Sequence, residues 1–395
     1  SPIAHEAAAR GADIALFTRR AAEDPHGGSD RARLAALHLQ RARELGDVAD
    51  YERAVAWARA SLARRAERNP GARLALASSL LALHRFPEAL DAAQGLVAAD
   101  PERPAARALL GELQLEMGDY DAAAATFARL ARHGANLAVA PRLARWAELT
   151  GRPAEARRLL YAARAQATAR GDLPREQVAW FHLRVADHEL RAGRLAPAGR
   201  ALREGLAVDP TDPRLIAAAA RLAARRERWR EAITLGERAG ARADLATLAL
   251  VGDAHLALGD TARAEAAFAR LEAQAAASPE PFNRQLTLFR LEHRRALPAT
   301  LAVLRQEIAV RRDVYGWDQL AWALHLTGDH QGARAAMAQA LRLGTPDATL
   351  HYHAGQIARA VGDRDGARRH LARALALDPH LPPRLAAEAR AALGA

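Results

Sequence analysis

Several kinds of residue are missing or scarce in this chain of 395 residues. Cysteine is absent, which excludes disulfides, thiolate metal sites and a cysteine nucleophile. Valine and isoleucine are sparse, so a β-sheet is not expected. Lysine is also absent, and all 57 basic residues are arginine. Because abundant Arg and Ala are typical of GC-rich bacterial genomes, the net charge of +11 is weaker support for nucleic-acid binding than it would otherwise be.

Long apolar runs are missing as well. No stretch approaches the length of a membrane-spanning helix, and no export signal is visible. What the chain does contain is a large share of alanine, leucine and arginine, all of which favour helix. The composition therefore predicts an all-α protein.

The clearest pattern lies in residues 104–135, which read PAARALLGELQLEMGDYDAAAATFARLARHGA. Apolar residues recur every three or four positions in both halves, which predicts two amphipathic helices. Between the halves, Gly118 can adopt the positive φ that ends a helix, and Asp119 can cap the helix that follows. The stretch is therefore expected to form a helical hairpin.

Small and large residues are paired in this hairpin. Gly111 and Ala123 stand where the helices must approach closely, and Leu110, Tyr120 and Phe127 fill the space beside them. This pattern resembles the tetratricopeptide repeat (TPR) family, whose helix–turn–helix unit has about 34 residues. Variants of the unit recur along most of the chain, so each hairpin can bury its apolar face against the next. The resemblance implies an all-α, right-handed superhelical solenoid of about ten repeats.

The predicted organisation has five segments. We expect a capping helix and loop at 1–30, repeats one to four at 31–164, and a longer connection at 165–178. Repeats five to ten follow at 179–381, and a capping helix closes the chain at 382–395. The end helices are expected because terminal repeats would otherwise expose an apolar face.

By the same resemblance, the first helix of each repeat lines a concave groove. The chain contains six Trp, five Tyr and seven Phe, and five of these aromatics fall on groove positions of the last three repeats. Because aromatics mixed with polar groups are typical of partner surfaces, these positions are predicted to bind a protein or peptide partner. They are Phe282, Gln285, Phe289, Glu292, Tyr315, Asp318, Trp322, His325, Tyr352, His353, Gln356 and Arg359.

Groove positions in the middle repeats form a secondary set. This set is Trp180, Asp187, Arg221 and Asp253. The early repeats give further lining positions, which are Arg33, Gln40, Arg43, Ser78, Glu112, Arg145 and Glu148. For individual aromatics such as Trp322 and Tyr352, packing between helices is the alternative to partner contact.

No motif indicates catalysis, a metal or a cofactor. His351 and His353 are two residues apart, so on a helix they point to different faces and do not make a metal site. HExxH, GxSxG and a phosphate-binding loop with Lys are all absent. The clamp of Lys, Arg and Asn with which chaperone-binding TPR proteins hold a terminal carboxylate is not present in its usual form, since there is no Lys. We therefore expect a non-enzymatic interaction scaffold.

Two other functions stay open, together with the location. A head-to-tail contact through the end helices would build a homopolymer. Arginine pairs such as Arg64-Arg65 could follow a nucleic acid, but they are interleaved with acidic residues, so this function is less expected. From the start at Ser1 and the resemblance to exported bacterial TPR proteins, we expect an exported protein, with a cytoplasmic location as the alternative.

Overall fold

The computed structural model describes residues 2–277, 280 and 282–394. The described residues are mostly helical and contain no strand, as the composition predicts. Within each of its two compact units, successive helices form antiparallel hairpins that pack on their neighbours. The fold is therefore an all-α array of stacked helical hairpins. None of the described helices is both long enough and apolar enough to cross a bilayer.

The chain divides into two compact units, at residues 143 and 144. The helices of the first unit are α1 (Pro2–Glu23), α2 (Ser29–Leu45), α3 (Val48–Arg64), α4 (Pro70–Ala82), α5 (Phe86–Ala99), α6 (Pro104–Met117) and α7 (Tyr120–Leu130). A 3-10 turn (Ala131–His133) follows, and α8 (Ala140–Leu149) contains the boundary.

The second unit holds the remaining helices. They are α9 (Pro153–Thr168), α10 (Arg175–Arg191), α11 (Leu195–Val208), α12 (Pro213–Arg225), α13 (Trp229–Ala239), α14 (Leu245–Ala257), α15 (Thr261–Ala277), α16 (Arg284–Glu292), α17 (Leu297–Val310), α18 (Val314–Leu326), α19 (His330–Ala340), α20 (Ala348–Ala360), α21 (Arg364–Leu377) and α22 (Pro383–Gly394). A 3-10 turn (Gly240–Arg242) precedes α14.

Several of the hairpin turns use glycine followed by aspartate. Gly118 ends α6 with a φ of +75°, and the Asp119 side chain accepts a hydrogen bond of 3.3 Å from the Ala122 N–H of α7. The same turn recurs before α19 and α21, where Asp329 and Asp363 each accept a backbone N–H at 2.8 Å. This confirms the turn and cap predicted from residues 104–135.

Glycine also marks the closest helix contacts. A Cβ on Gly111 would lie 2.8 Å from the Phe127 ring, and one on Gly252 would lie 2.1 Å from the Phe268 ring. Real Cβ atoms do not approach so closely. The pairing of a small residue with a large one across each hairpin is therefore confirmed at these two positions.

Several positions depart from the regular pattern. The turn between α16 and α17 has no glycine, and Arg294 and Ala296 adopt positive φ values of +52° and +47° there. The predicted connection at 165–178 includes the end of α9 and the start of α10, so its non-helical part is residues 169–174. Helices α1 and α22 lie at the two ends, where capping helices are expected.

Within the second unit, the first helices of neighbouring hairpins pack directly on one another. Contacts join α10 to α12, α12 to α14, α14 to α16, α16 to α18 and α18 to α20. Since helices on the inner side of a curved stack lie closer together, these six helices form the concave side of this unit.

Turns far apart in sequence meet in the same unit. The Thr345 hydroxyl donates a hydrogen bond of 2.8 Å to the Leu149 carbonyl, and this contact is buried. The Arg225 guanidinium contacts the Asp378 carboxylate and donates to the His380 carbonyl at 2.8 Å. The turn after α8 therefore packs against the loop before α20, and the end of α12 packs against the turn after α21.

Candidate functional site: the concave groove of the second unit

The inner surface of α10, α12, α14, α16, α18 and α20, together with residues 144–149 of α8, is called the groove below. The first helices present charged and aromatic side chains to it at intervals of three or four residues, since such residues share one face of a helix. Asp253 on α14, Glu292 on α16 and Tyr315 on α18 are examples, and all three keep some exposure to solvent.

Glu292 is exposed to solvent, yet its surroundings disfavour its charge. Burial among protein atoms and the neighbouring Asp253 carboxylate together raise its pKa to about 7, against the lowering effects of His293, His353 and Arg384. Exposure and burial are compatible here because water can reach the bottom of a concavity that protein atoms surround on most sides. We therefore interpret Glu292 as a lining residue of the groove.

Tyr315 lies where two parts of the groove face each other. Burial raises the pKa of its hydroxyl, and charges on Asp347, Arg191, Arg145 and Glu148 also act on it. Two of these groups come from α8 and one from α10, whereas Tyr315 belongs to α18. The predicted groove positions of the fourth and ninth repeats are thus brought together.

A buried aromatic stack lies on α18 and α20. The Trp322 ring stacks on His353 at 4.2 Å and on His325 at 4.9 Å between ring centroids. His353 Nδ1 lies 2.9 Å from Asp318 Oδ1, and both side chains are buried. Burial, reinforced by His330, lowers the pKa of His325 to about 4. This stack forms part of the wall beneath the groove.

Phe289 and Tyr352 belong to the core and not to the groove surface. Each is 1% exposed. Phe289 packs on Phe268 with a centroid distance of 5.1 Å, and the Tyr352 hydroxyl donates to Glu388 of α22. Packing between helices, the alternative considered for Tyr352 and Trp322, therefore describes Tyr352 fully and describes most of the Trp322 surface, which is 8% exposed.

The remaining predicted positions make contacts with their neighbours along the groove. Arg221 donates to Asp187 at 2.7 Å, Asp253 lies 3.1 Å from His293, Arg359 donates to the buried Gln356 at 2.9 Å, and Gln285 donates to Asp244 at 3.3 Å. Trp180 is half-buried beside Phe181, and Phe282 is half-buried in the turn before α16.

Two arginines of the groove are absent from the predicted set. Arg184 and Arg191 lie on α10, 3.7 Å and 2.8 Å from Glu148 of α8. Their spacing of seven residues, with Asp187 between them, places them on one face of the helix. Arg184 lies three residues before the predicted position Asp187, and Arg191 lies four residues after it. This spacing could therefore have indicated both arginines as groove residues.

Metal-binding geometry is not found in the part of the chain that the structure describes: no group of three or more His, Asp or Glu is arranged to hold an ion there. His351 pairs with His370 through their Nδ1 atoms at 2.9 Å, and burial lowers the pKa of both imidazoles. Because one neutral imidazole donates to the other, this contact joins α20 to α21 as a hydrogen bond.

The fold described above is an all-α stack of helical hairpins, several of which have Gly-Asp turns. Two family profiles match the chain, both described as tetratricopeptide repeat, over residues 39–104 and 80–145. Residues 39–145 therefore match the tetratricopeptide repeat family. Repeats of this family are typically non-enzymatic scaffolds for protein interaction.

The chain is similar to several solved structures at low sequence identity. The Cut9–Hcn1 hetero-tetramer of the APC/C is 13% identical, covers 98% of this chain and 95% of that chain, and has a TM-score of 0.37. PilW, described as a type IV pilus biogenesis factor, is 18% identical, with coverages of 56% and 98% and a TM-score of 0.40. A tetratricopeptide repeat protein from Parabacteroides merdae is 14% identical, with coverages of 65% and 98% and a TM-score of 0.38. No curated protein matches the chain.

Proposed function

We propose that the chain is a scaffold that holds an extended segment of a protein partner in the groove of its second unit. It has no catalytic role in this proposal. The main support for it is the environment of Glu292. Solvent reaches its carboxyl group, yet burial and the Asp253 carboxylate raise its pKa to about 7. A partner could therefore meet this carboxyl group on a surface already enclosed by protein.

The chemistry of the lining fits a peptide. Tyr315 supplies an aromatic ring with a hydroxyl, Arg191 and Asp253 supply charges of both signs, and all three retain exposed surface. Aromatic and arginine side chains dominate the energetics of protein interfaces, because they combine large contact area with directional hydrogen bonds.

An extended segment suits the groove better than a folded domain. The hydrogen bond between Thr345 and Leu149 brings the loop before α20 onto the turn after α8, so the two ends of the lining lie close together. In this proposal, such a groove takes one peptide backbone with its side chains and not the broad surface of a folded domain.

A selection of short random peptides displayed on phage, with the full chain as the immobilised target, tests the proposal. We expect enriched peptides whose affinity falls about tenfold or more on Tyr315→Ala, the loss typical of an interface anchor. Tyr315→Phe should retain most of the affinity if ring contact dominates. Arg200→Gln, on the exposed face of α11, is the control and should bind as the unsubstituted chain does.

Two results would contradict the proposal. One is enrichment of no peptide by the folded chain. The other is enrichment of peptides whose affinity is unchanged in Tyr315→Ala but reduced in Arg200→Gln, which would place the contact on the outer helices. Light scattering on the same sample detects a third case, in which copies of the chain bind one another and form a homopolymer.

A further inference from the structure

Helix α10 carries a line of polar side chains along the groove. Arg184 and Arg191 are seven residues apart, about two helical turns, and Asp187 and His188 lie between them. All four side chains therefore project from the same side of the helix toward α8 and α12. The Arg184 side chain is 16% exposed and the Arg191 side chain is 44% exposed.

The Glu148 carboxylate contacts three of these side chains. Arg191 donates to Glu148 Oε1 at 2.8 Å, His188 Nδ1 lies 2.6 Å from the same oxygen, and Arg184 lies 3.7 Å from Oε2. Although burial acts to raise the pKa of Glu148, Arg191, His188 and Arg184 together hold it well below its ordinary value. Glu148 is thus an ionised group that two guanidinium groups share.

The guanidinium group of Arg184 meets the Glu148 carboxylate only at 3.7 Å, beyond hydrogen-bonding distance. Burial lowers its pKa, and the nearby Arg191 and Arg145 add to that effect against Glu148 and Asp187. An arginine in such a place is stabilised by any anion that approaches it, since the guanidinium itself stays charged at all ordinary pH values. The surroundings of Arg184 therefore favour a further negative charge.

The other carboxylates near α10 already have partners. Asp187 accepts a hydrogen bond of 2.7 Å from Arg221. Asp347 acts on Arg191 from the opposite wall, but its Oδ1 caps α20 by accepting the N–H groups of Thr349 and Leu350 at 2.9 Å and 3.1 Å. These carboxylates therefore keep their positions and do not move to Arg184.

We propose that Arg184 and Arg191, arranged around Glu148, form a subsite of the groove that binds an acidic side chain of the partner's extended segment. The inference rests on the proposed function and specifies the chemistry of the occupant. Arginine presents its N–H donors in a planar fork that matches the two oxygens of a carboxylate, and such charge-assisted bonds are stronger than neutral ones. A phosphorylated side chain offers the same anionic oxygens. Tyr315, on the opposite wall, completes the enclosure.

The test uses the peptides enriched on the full chain by phage display. The subsite predicts that they contain Asp or Glu, and that replacing this residue by Gln or Asn weakens binding about tenfold, as expected for one charge-assisted contact. Arg191→Gln should lower the affinity for the acidic peptide by more than it lowers the affinity for the neutral peptide, so the preference for the acidic peptide is lost. Glu148→Gln should strengthen binding of the acidic peptide, because it removes the competing carboxylate. Arg200→Gln serves as the matched control for the lost charge.

The source of the anion is resolved by a phosphoserine version of the same peptide. If it binds more tightly than the glutamate peptide and depends on Arg191, the occupant is a phosphorylated segment; if the glutamate peptide is preferred, the occupant is an acidic one. Circular dichroism of each variant checks that the fold is retained. Should Glu148→Gln fail to fold, Arg191→Gln, whose side chain is the more exposed, still decides the matter.

The possible negative results distinguish an error in the subsite from an error in the peptide groove. Enriched peptides that lack acidic residues, or an acidic preference that survives Arg191→Gln, would overturn the subsite but leave the peptide groove standing. Enrichment of no peptide at all would overturn the groove as well. Binding of a single-stranded oligouridylate more tightly than the acidic peptide, with loss in Arg191→Gln, would assign these arginines to nucleic acid and overturn the subsite.

Discussion

Tyr315 and Tyr352 show how two side chains on groove positions of neighbouring repeats differ in role. Tyr315 is half-buried and faces Arg191 and Glu148, whereas Tyr352 is 1% exposed and donates to Glu388. The difference comes from α22, which covers Tyr352 but not Tyr315. Because the covering residue is 36 positions away, the local pattern around Tyr352 does not contain this information. Substituting Tyr352 would therefore measure stability and not partner binding.

Backbone strain at Ala296 gives a prediction at the same scale. This residue caps α17 with φ +47° and ψ 38°, a left-handed conformation that costs a residue with a Cβ about 1 kcal/mol relative to glycine. We expect Ala296→Gly to raise the free energy of unfolding by about that amount, read from the midpoint of urea denaturation. Ala302→Gly, in the exposed interior of the same helix, should lower it by a similar amount. Equal effects of the two substitutions would refute the strain.

The raised pKa of Glu292 predicts a pH dependence of stability. An unfolded glutamate ionises near its ordinary value of 4.5, but Glu292 in the fold ionises near 7. Between these values the unfolded chain has lost its proton and the native chain still holds it, so the Glu292 contribution falls as pH rises through this window and stays low above it. Glu292→Gln removes the penalty.

The measurement is the difference in unfolding free energy between Glu292→Gln and the unsubstituted chain across that window. It should be small at pH 4 to 5 and grow to a plateau above about pH 7 in favour of the variant. Asp253→Asn should move the rise to lower pH, since Asp253 is the second cause of the raised pKa. A difference that stays constant with pH would contradict the placement of Glu292 in an enclosed groove.

At the scale of the element, a buried ionic network joins α16, α17 and α18. Arg284 donates to Glu307 Oε1 at 2.6 Å and to Asp313 Oδ1 at 2.9 Å, and Arg311 lies 3.4 Å from Asp313 Oδ2. Asp313 also caps α18 by accepting the Tyr315 N–H at 3.0 Å. The network lies at the open end of the α16–α17 hairpin, away from the turn that lacks the usual glycine, and it joins this hairpin to α18.

Two substitutions at Asp313 separate the charge from the cap. Asp313→Ala should destabilise this region by about 3 kcal/mol, since it breaks a buried pair and removes a cap. Asp313→Asn should cost roughly 1 to 2 kcal/mol, because asparagine is a good N-cap but carries no charge. Hydrogen exchange in α16, α17 and α18 measures both effects. Equal losses in the two variants would show that the cap contributes little.

The hairpins are the level that sequence reasoning predicts best. A Gly-Asp turn such as Gly118-Asp119 and a small–large pair such as Gly111 and Phe127 act within one hairpin, so their signals lie within a few residues of one another. Arg184 is harder to interpret, because its role depends on Glu148, 36 positions earlier and on another repeat. Local turn and cap chemistry is therefore predictable, and contacts between repeats are predictable only where the helix spacing is regular.

At the scale of the whole molecule, contacts between distant repeats add to the predicted stack. Thr345 and Leu149 are 196 positions apart, and Arg225 and Asp378 are 153 apart. Such contacts depend on the curvature that accumulates over several hairpins of the second unit, and small changes in packing at each hairpin alter it. No sequence motif specifies this accumulated curvature. The enclosed form of the groove could therefore not be derived from the repeats alone.

Hydrogen exchange of the full chain, with and without a peptide enriched by phage display, tests the central claim most directly. The account predicts that the bound peptide slows exchange in the first helices α10, α16, α18 and α20. The second helices α11, α17, α19 and α21, on the other side of the same hairpins, should exchange as before. Slower exchange confined to the second helices, or an unchanged pattern with a peptide that demonstrably binds, would contradict the groove as the binding surface.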